Sequence, residues 1–287
     1  ICQTGLRFSD QYGIQDYYLA ALHTNAGLAL YQQGDRVQAK QRWIAIRQLP
    51  DFTQHLGIRL HCLIASLRLS IEEGNAKRHV PALKSLVALL EKQHQPKLLD
   101  ESLALLLECA VQGANKRLAD QAFDLAETIE TSPLFLTVKS RWLWLTGYLE
   151  QAWSLLHNQP DTFEGFTAQT EQIRLGIVLG KLEWAKKQSA HLLTNPHFQE
   201  CKDLYLFITL CQECIDVQEP TNFLEHGVQH KWTEITLGSL HLLALRTHFQ
   251  GKSVESILKT LHDRSTQLNH RLYLALSDPA LYATQQS

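Results

Sequence analysis

A helical hairpin with a glycine at its turn recurs along the chain, and this repeat constrains the fold more than any other feature. The clearest copy runs from Ala26 to Pro50, where two amphipathic helical patterns meet at Gly34. Glycine suits such a turn because it adopts left-handed backbone conformations without the strain that a side chain causes. Similar turns follow at intervals of about 33 to 40 residues, with one interval close to twice that length. The turn glycines are Gly34, Gly74, Gly113, Gly147, Gly180 and Gly251.

These intervals predict about seven stacked hairpins, because repeats of this length are one supersecondary unit each. We therefore predict an all-α fold, a right-handed α-α superhelix that forms a single domain over residues 1–287. No run of alternating apolar and polar residues bounded by hairpin-turn residues is evident, so no strand is expected. Residues 268–287 are predicted to form a capping helix and tail that cover the last hydrophobic face of the stack.

The charge distribution argues against nucleic-acid and membrane partners. The formal net charge is -2 and the pI about 6.7, and Lys and Arg are spread thinly along the chain. Binding to nucleic acid requires a clustered basic surface, which this sequence lacks. We see neither a membrane-spanning stretch nor a signal peptide, and we expect a cytoplasmic protein.

Methionine is absent, and Ile1 stands at the first position. This is unusual for a chain so rich in leucine and isoleucine. We expect either a fragment of a longer polypeptide or a sequence from which modified methionines are missing.

Four residues in the C-terminal third are candidate metal ligands, in two pairs separated by eleven residues, one fewer than in the usual zinc finger. A C-x2-C pair, Cys211 and Cys214, is followed by an H-x3-H pair, His226 and His230, and these types could supply four ligands to tetrahedral zinc. Alternatively, the two cysteines are small buried apolar residues on one amphipathic helix. We favour the second interpretation and predict no metal and no other cofactor.

Three tryptophans cluster around one hairpin and are the candidate binding residues. Trp142 and Trp153 are expected to fill space between helices. Trp144 lies two positions from Trp142 and therefore on a different face of the helix. We expect Trp144 to be exposed. Aromatic side chains in a groove often anchor a partner helix or an apolar ligand.

The first hairpin resembles the tetratricopeptide repeat (TPR). The resemblance rests on small Gly27, Leu30, Gly34, Ala39 and aromatic Trp43, followed by Ile46 and Pro50. The family usually has Ala in place of Ile46 and has its proline one residue later than Pro50. It implies helix pairs that stack into a solenoid, with a concave groove that receives a protein or peptide partner.

The long, irregular repeats are also similar in rhythm to the sensor solenoids of bacterial transcription regulators of the maltose-regulator type. The segment from Leu179 to Leu193 shows this rhythm best. The resemblance implies a regulatory module that receives a small-molecule effector or a protein. A structural scaffold in a larger assembly is the alternative.

An enzyme is the least favoured class. The nucleophile elbow G-x-S-x-G and the phosphate-binding glycine motifs do not occur in the sequence. We therefore predict a non-catalytic binding or sensing module.

Overall fold

The computed structural model describes residues 16–49, 56–216 and 233–283, and every regular element in these ranges is a helix. The all-α prediction is therefore confirmed for the described part of the chain. The helices are α1 (Asp16–Gln32), α2 (Arg36–Ile46), α3 (Leu56–Ser70), a π-helical turn (Ile71–Asn75), α4 (Ala76–Lys92), α5 (Pro96–Gly113), α6 (Lys116–Ala126), α7 (Pro133–Leu145), α8 (Leu149–Leu155), α9 (Phe163–Val178), α10 (Leu182–Thr194), α11 (Pro196–Gln199), α12 (Lys202–Asp216), α13 (Thr233–Phe249), α14 (Glu255–Gln267), α15 (Arg271–Leu276) and α16 (Ala280–Ala283).

The predicted turns lie between paired helices, and the backbone explains most of the glycines. Five turn glycines adopt positive φ, for example 85° at Gly34 and 90° at Gly74. Gly113 is the exception, and its predicted role was wrong. Helix α5 continues through Gly113, and Ala114 takes the left-handed conformation instead, with φ 49° and its N–H bonded to the carbonyl of Ala110.

Polar caps fix where the helices of several hairpins begin. Asp35 accepts a hydrogen bond from the N–H of Gln38 at the start of α2, and Asn115 does the same for Leu118 at the start of α6. At α7, Ser132 caps the helix and Pro133 occupies its first turn. Each cap satisfies a backbone donor that has no partner within its helix, so the chain reverses at defined residues.

The first helices of successive hairpins form a continuous inner row. Helix α1 contacts α3, α3 contacts α5, α5 contacts α7, α7 contacts α9, α9 contacts α12 and α12 contacts α13. The buried apolar residues form three clusters, which lie mainly in the first hairpin, in the hairpins from α3 to α8, and in the helices from α9 to α14. The hairpins are thus held together chiefly by contacts with their sequence neighbours.

Two further contacts join parts of the chain that are distant in sequence. Arg36 at the start of α2 forms an ion pair with Asp203 on α12. At the other end, α15 packs against α5 and α7 as well as against α14. The helix predicted to begin at Leu268 begins at Arg271. It lies against the central helices α5 and α7 and does not cover only the final hairpin.

The turn at Gly34 is predicted to be sensitive to substitution for two separable reasons. A Cβ at Gly34 would lie 2.7 Å from Oδ1 of Asp203, and φ is positive. A Cβ at Gly147, where φ is 89°, would have no atom within 4 Å. The left-handed conformation alone costs a non-glycine residue about 1–2 kcal/mol. We expect Gly34→Ala to lower the free energy of unfolding by that amount plus the cost of displacing Asp203.

Gly147→Ala is the matched control, because it carries the conformational cost without the clash. Urea unfolding of both variants measures the difference, which we expect to be about 1 kcal/mol or more because Arg36 loses a part-buried charged partner. Equal losses in the two variants would contradict a tight contact between the first turn and α12.

Candidate functional site

The inner row of helices surrounds a cavity of about 110 Å³. Its walls come from α1, α3, the π-helical turn, α5, α7, α9, α12, α13 and α15. The space exceeds what one water molecule requires and is sufficient for the body of a small ligand. Nearly every hairpin in the described part of the chain therefore contributes to one site.

Much of the wall is apolar. Aliphatic and aromatic side chains reach the cavity from helices on all sides, and such surfaces favour the apolar part of a ligand. They are Ile71, Leu105, Leu134, Val138, Phe163, Leu204, Phe207 and Ile235.

The wall residues recur at a regular interval. Arg141 on α7 follows Glu108 on α5 by 33 residues, and Arg174 on α9 and Phe207 on α12 follow at the same interval. All four line the cavity. A second set with this spacing also lines it and comprises Glu72, Leu105, Val138, Glu171 and Leu204. Equivalent positions of successive hairpins thus build the cavity.

A chain of buried ion pairs crosses the wall from α5 to α9. Nη1 of Arg141 donates to Oε2 of Glu108 at 3.3 Å, and its Nε lies 3.6 Å from Oε2 of Glu171. Nη2 of Arg174 donates to the other oxygen of Glu171 at 2.5 Å. Because these groups are largely removed from water, each charge depends on its partner. The chain fixes three neighbouring hairpins relative to one another.

Arg174 lies at the α9 end of this series of ion pairs. Only 1 % of its side chain is exposed, and it donates a hydrogen bond to the hydroxyl of Tyr273 on α15. Its guanidinium lies 4.7 Å from the ring centroid of Trp144 and 5.4 Å from that of Tyr273. The cation is therefore held by a carboxylate, a hydroxyl and two aromatic faces, which offsets the cost of burying it.

A second cluster of polar side chains forms the cavity wall beside the first hairpin. The Tyr31 hydroxyl donates to Glu72, and Nε of Arg36 lies 3.5 Å from the other oxygen of that carboxylate. Burial raises the pKa of Glu72, while Arg36 and the Tyr31 hydrogen bond oppose the rise. Nη2 of Arg68 donates to Oε2 of Glu101 at 3.4 Å.

Three polar groups that line the cavity could form further hydrogen bonds or ion pairs with a ligand. Nε of Arg68 and Oγ1 of Thr170 are buried and have no hydrogen-bond partner among the described residues. Glu164, in the first turn of α9, lines the cavity half-buried, and no hydrogen bond or ion pair to its carboxylate occurs within the described ranges. Buried polar groups are ordinarily satisfied, so Arg68 and Thr170 indicate where a bound molecule would make polar contacts, and the Glu164 carboxylate offers a third position.

The predicted aromatic binding residues lie elsewhere. Trp144 is 8 % exposed, so the expectation that it would be exposed was wrong. It is buried because it packs against the Arg174 guanidinium and, at 5.8 Å between ring centroids, against His241. Trp142 is buried in the apolar core, and Trp153 packs edge-on against Trp184 at 5.2 Å. None of Trp142, Trp144 and Trp153 lines the central cavity.

The structure brings together half of the candidate metal ligands. Cys211 and Cys214 are fully buried on α12, and Sγ of Cys214 lies 3.4 Å from the Leu242 carbonyl. Burial raises the pKa of both thiols, that of Cys214 to about 12, which disfavours the thiolate that zinc requires. His226 and His230 lie outside the described residues. No group of three or more potential metal ligands occurs in the part that the structure describes.

Reasoning from the sequence missed the cavity residues. The notable signal was present in the 33-residue spacing of Glu108, Arg141 and Arg174. Charged side chains on a first helix ordinarily indicate a solvent-exposed face. Their burial becomes evident only when successive hairpins face one another across the cavity.

Burial of His241 should make stability pH-dependent. Its side chain is 2 % exposed, and burial, followed by the nearby Arg174 charge, lowers its pKa from 6.5 to about 3. A folded pKa below the unfolded value contributes stability above pH 6.5 that is lost as pH falls toward 3. One pKa unit corresponds to about 1.4 kcal/mol, so wild-type protein should lose about 2 kcal/mol more than His241→Gln between pH 7.5 and pH 5.

Urea unfolding at the two pH values measures this difference. His191→Gln, at an exposed position on α10, is the control and should behave as wild type. If His241→Gln retains the full wild-type pH dependence, the imidazole is not held neutral by burial.

No family model, curated protein or solved structure matches the chain. Within the described ranges, the helices are all too short or too polar to cross a membrane.

Proposed function

We propose that the chain is a non-catalytic ligand-sensing module whose central cavity binds a small molecule or a peptide segment. The observation that carries the proposal is the cavity itself, which is built from equivalent positions of successive hairpins and retains polar groups without partners. A buried polar group without a partner is costly, and natural proteins retain such groups mainly where they have a role.

In this proposal, the hairpins form a right-handed superhelix, and the cavity is its concave side. The continuous row of first helices supports this arrangement. The ion pair between Arg36 and Asp203, together with the contacts of α15 with α5 and α7, joins distant hairpins around the cavity. A ligand that contacts several hairpins at once would therefore stabilise their arrangement around the cavity. Such a ligand-dependent change in the conformational equilibrium is what a sensing module requires. This fits the regulatory role that the resemblance to bacterial regulator solenoids implies.

The test is a thermal-shift screen of the purified chain with separate L-amino acids, short peptides, mono- and disaccharides, and nucleotides. A ligand of the folded state raises the Tm in proportion to its saturation. Ala104, which is 1 % exposed and lies on the cavity wall, is replaced by leucine to fill the space. We expect at least one compound class to raise the Tm of the wild type and not that of Ala104→Leu.

The unfolding free energy of Ala104→Leu is measured in parallel, and Ala104→Val provides a smaller filling side chain if leucine overpacks the core. Compounds that stabilise wild type and both variants equally would show that binding occurs elsewhere. A screen without any stabilising compound would contradict the proposal.

A further inference from the structure

The cavity wall carries a small excess of negative charge. Three arginines, Arg68, Arg141 and Arg174, line it together with four glutamates, Glu72, Glu108, Glu164 and Glu171. Three of the glutamates form ion pairs or hydrogen bonds with arginine side chains. Burying a ligand of net negative charge beside them would be costly, whereas a ligand that carries a positively charged group suits the wall.

Glu164 is the group best placed to receive that cation. It lies in the first turn of α9 and lines the cavity half-buried. The Glu164 carboxylate forms no hydrogen bond or ion pair with another described residue. A ligand ammonium could therefore bind Glu164 without displacing an existing contact.

The buried polar atoms of Arg68 and Thr170 that have no described partner specify a second polar group on the ligand, besides its cation. Nε of Arg68 is a donor and requires an acceptor such as a carbonyl or carboxylate oxygen, and the Thr170 hydroxyl can donate or accept. Thr170 is 5 % exposed, so only a molecule within the cavity could satisfy it. Glu164 acts electrostatically on Arg68. Both residues line the cavity, so one ligand can carry the ammonium for Glu164 and the acceptor oxygen for Arg68.

The apolar wall defines the rest of the ligand. Phe163 adjoins Glu164 in sequence, and Leu134, Val138 and Leu204 complete a surface that suits an aliphatic or aromatic side chain. An α-ammonium group, a neighbouring carbonyl oxygen and an apolar side chain together describe one chemical class.

We propose that the cavity binds an apolar α-amino acid unit through its free ammonium group, with Glu164 as the ammonium ligand and Arg68 as donor to the adjacent carbonyl oxygen. The unit is either a free amino acid or the amino-terminal residue of a peptide, since both present the same chemistry. This inference rests on the proposed function and specifies its ligand.

Calorimetric titration with L-leucine, L-leucinamide, Leu-Gly-Gly and N-acetyl-L-leucinamide tests the inference. The first three carry the free ammonium, and the last lacks it. We expect the ammonium compounds to bind at least about tenfold more tightly than the acetylated one, since the acetylated compound leaves a charged partner unpaired. Tightest binding by leucine identifies the free amino acid, and tightest binding by Leu-Gly-Gly identifies a peptide terminus.

Glu164→Gln should remove this discrimination and weaken the ammonium compounds at least about tenfold. The matched control is Glu183→Gln, because Glu183 occupies the same second position of α10 but is exposed. It should bind as wild type does. Because Glu164 forms no hydrogen bond or ion pair among the described residues, Glu164→Gln should change the unfolding midpoint of the free protein only slightly.

Equal affinity for the acetylated compound, or unchanged affinity in Glu164→Gln, would overturn the inference. So would an absence of binding by all four compounds. If another compound class binds the wild type and not Ala104→Leu, this inference fails and the proposed function stands. If no compound class distinguishes those two proteins, both fail.

Discussion

Replacing Arg174 with alanine should lower the free energy of unfolding by about 3–5 kcal/mol, because it leaves a buried carboxylate without its closest partner. Glu171 is 4 % exposed and lies between Arg174 and Arg141. The substitution also removes the hydrogen bond to Tyr273 and the cation beside Trp144. Urea unfolding at neutral pH measures the loss.

The control for Arg174→Ala is a double variant, Arg174→Met with Glu171→Leu. Replacing both members of a buried ion pair by apolar groups of similar volume is often nearly neutral. We expect the double variant to recover most of the lost stability. A double variant no more stable than Arg174→Ala would contradict an unpaired Glu171 carboxylate as the cause of the loss.

Replacing Trp43 with alanine should cost about 3–5 kcal/mol, since it removes the largest side chain from a closely packed core. Trp43 is 2 % exposed and donates through Nε1 to the Thr24 carbonyl at 3.4 Å. A Cβ at Gly27 would come within 2.3 Å of Nε1, so the indole occupies the space that this glycine leaves. Chemical unfolding measures the loss.

Ile44→Ala is the matched control for Trp43→Ala. Ile44 is the next residue on α2 and is 46 % exposed, so its truncation should change the unfolding free energy by less than about 0.5 kcal/mol. Similar losses in both variants would contradict the orientation of α2.

Hairpin packing could be predicted from the sequence because each hairpin carries its own local signals. Ala39, Trp43 and Ile46 of the apolar helical pattern in α2 are buried, whereas Val37, which the same pattern includes, is 64 % exposed. The contact between Gly27 and Trp43 accounts for the small-and-aromatic pattern at those positions. Five of the six turn glycines also adopt positive φ. Local periodicity and backbone preference determine these features.

The cavity could not be predicted in this way because it depends on how distant hairpins meet. Trp144 was expected on an exposed face of α7, and it is buried because α9 and α13 bring Arg174 and His241 against it. Charged residues such as Arg141 and Glu171 ordinarily lie in solvent, but here they form an ion pair where α7 and α9 pack side by side. Helical spacing specifies a face of one helix and leaves unspecified what covers that face.

Thiol protection inside the cavity tests the central claim most directly. Ala104→Cys places a thiol on the cavity wall, while Cys62, Cys109, Cys211 and Cys214 are buried and serve as internal controls. Peptide mapping follows alkylation of each thiol by iodoacetamide, with and without the compound that raises the Tm most. At about 100 times its Kd, that compound should slow alkylation at position 104 at least about tenfold, because almost all cavities are then occupied. An unchanged rate at position 104 would contradict a ligand-binding cavity at the centre of the fold.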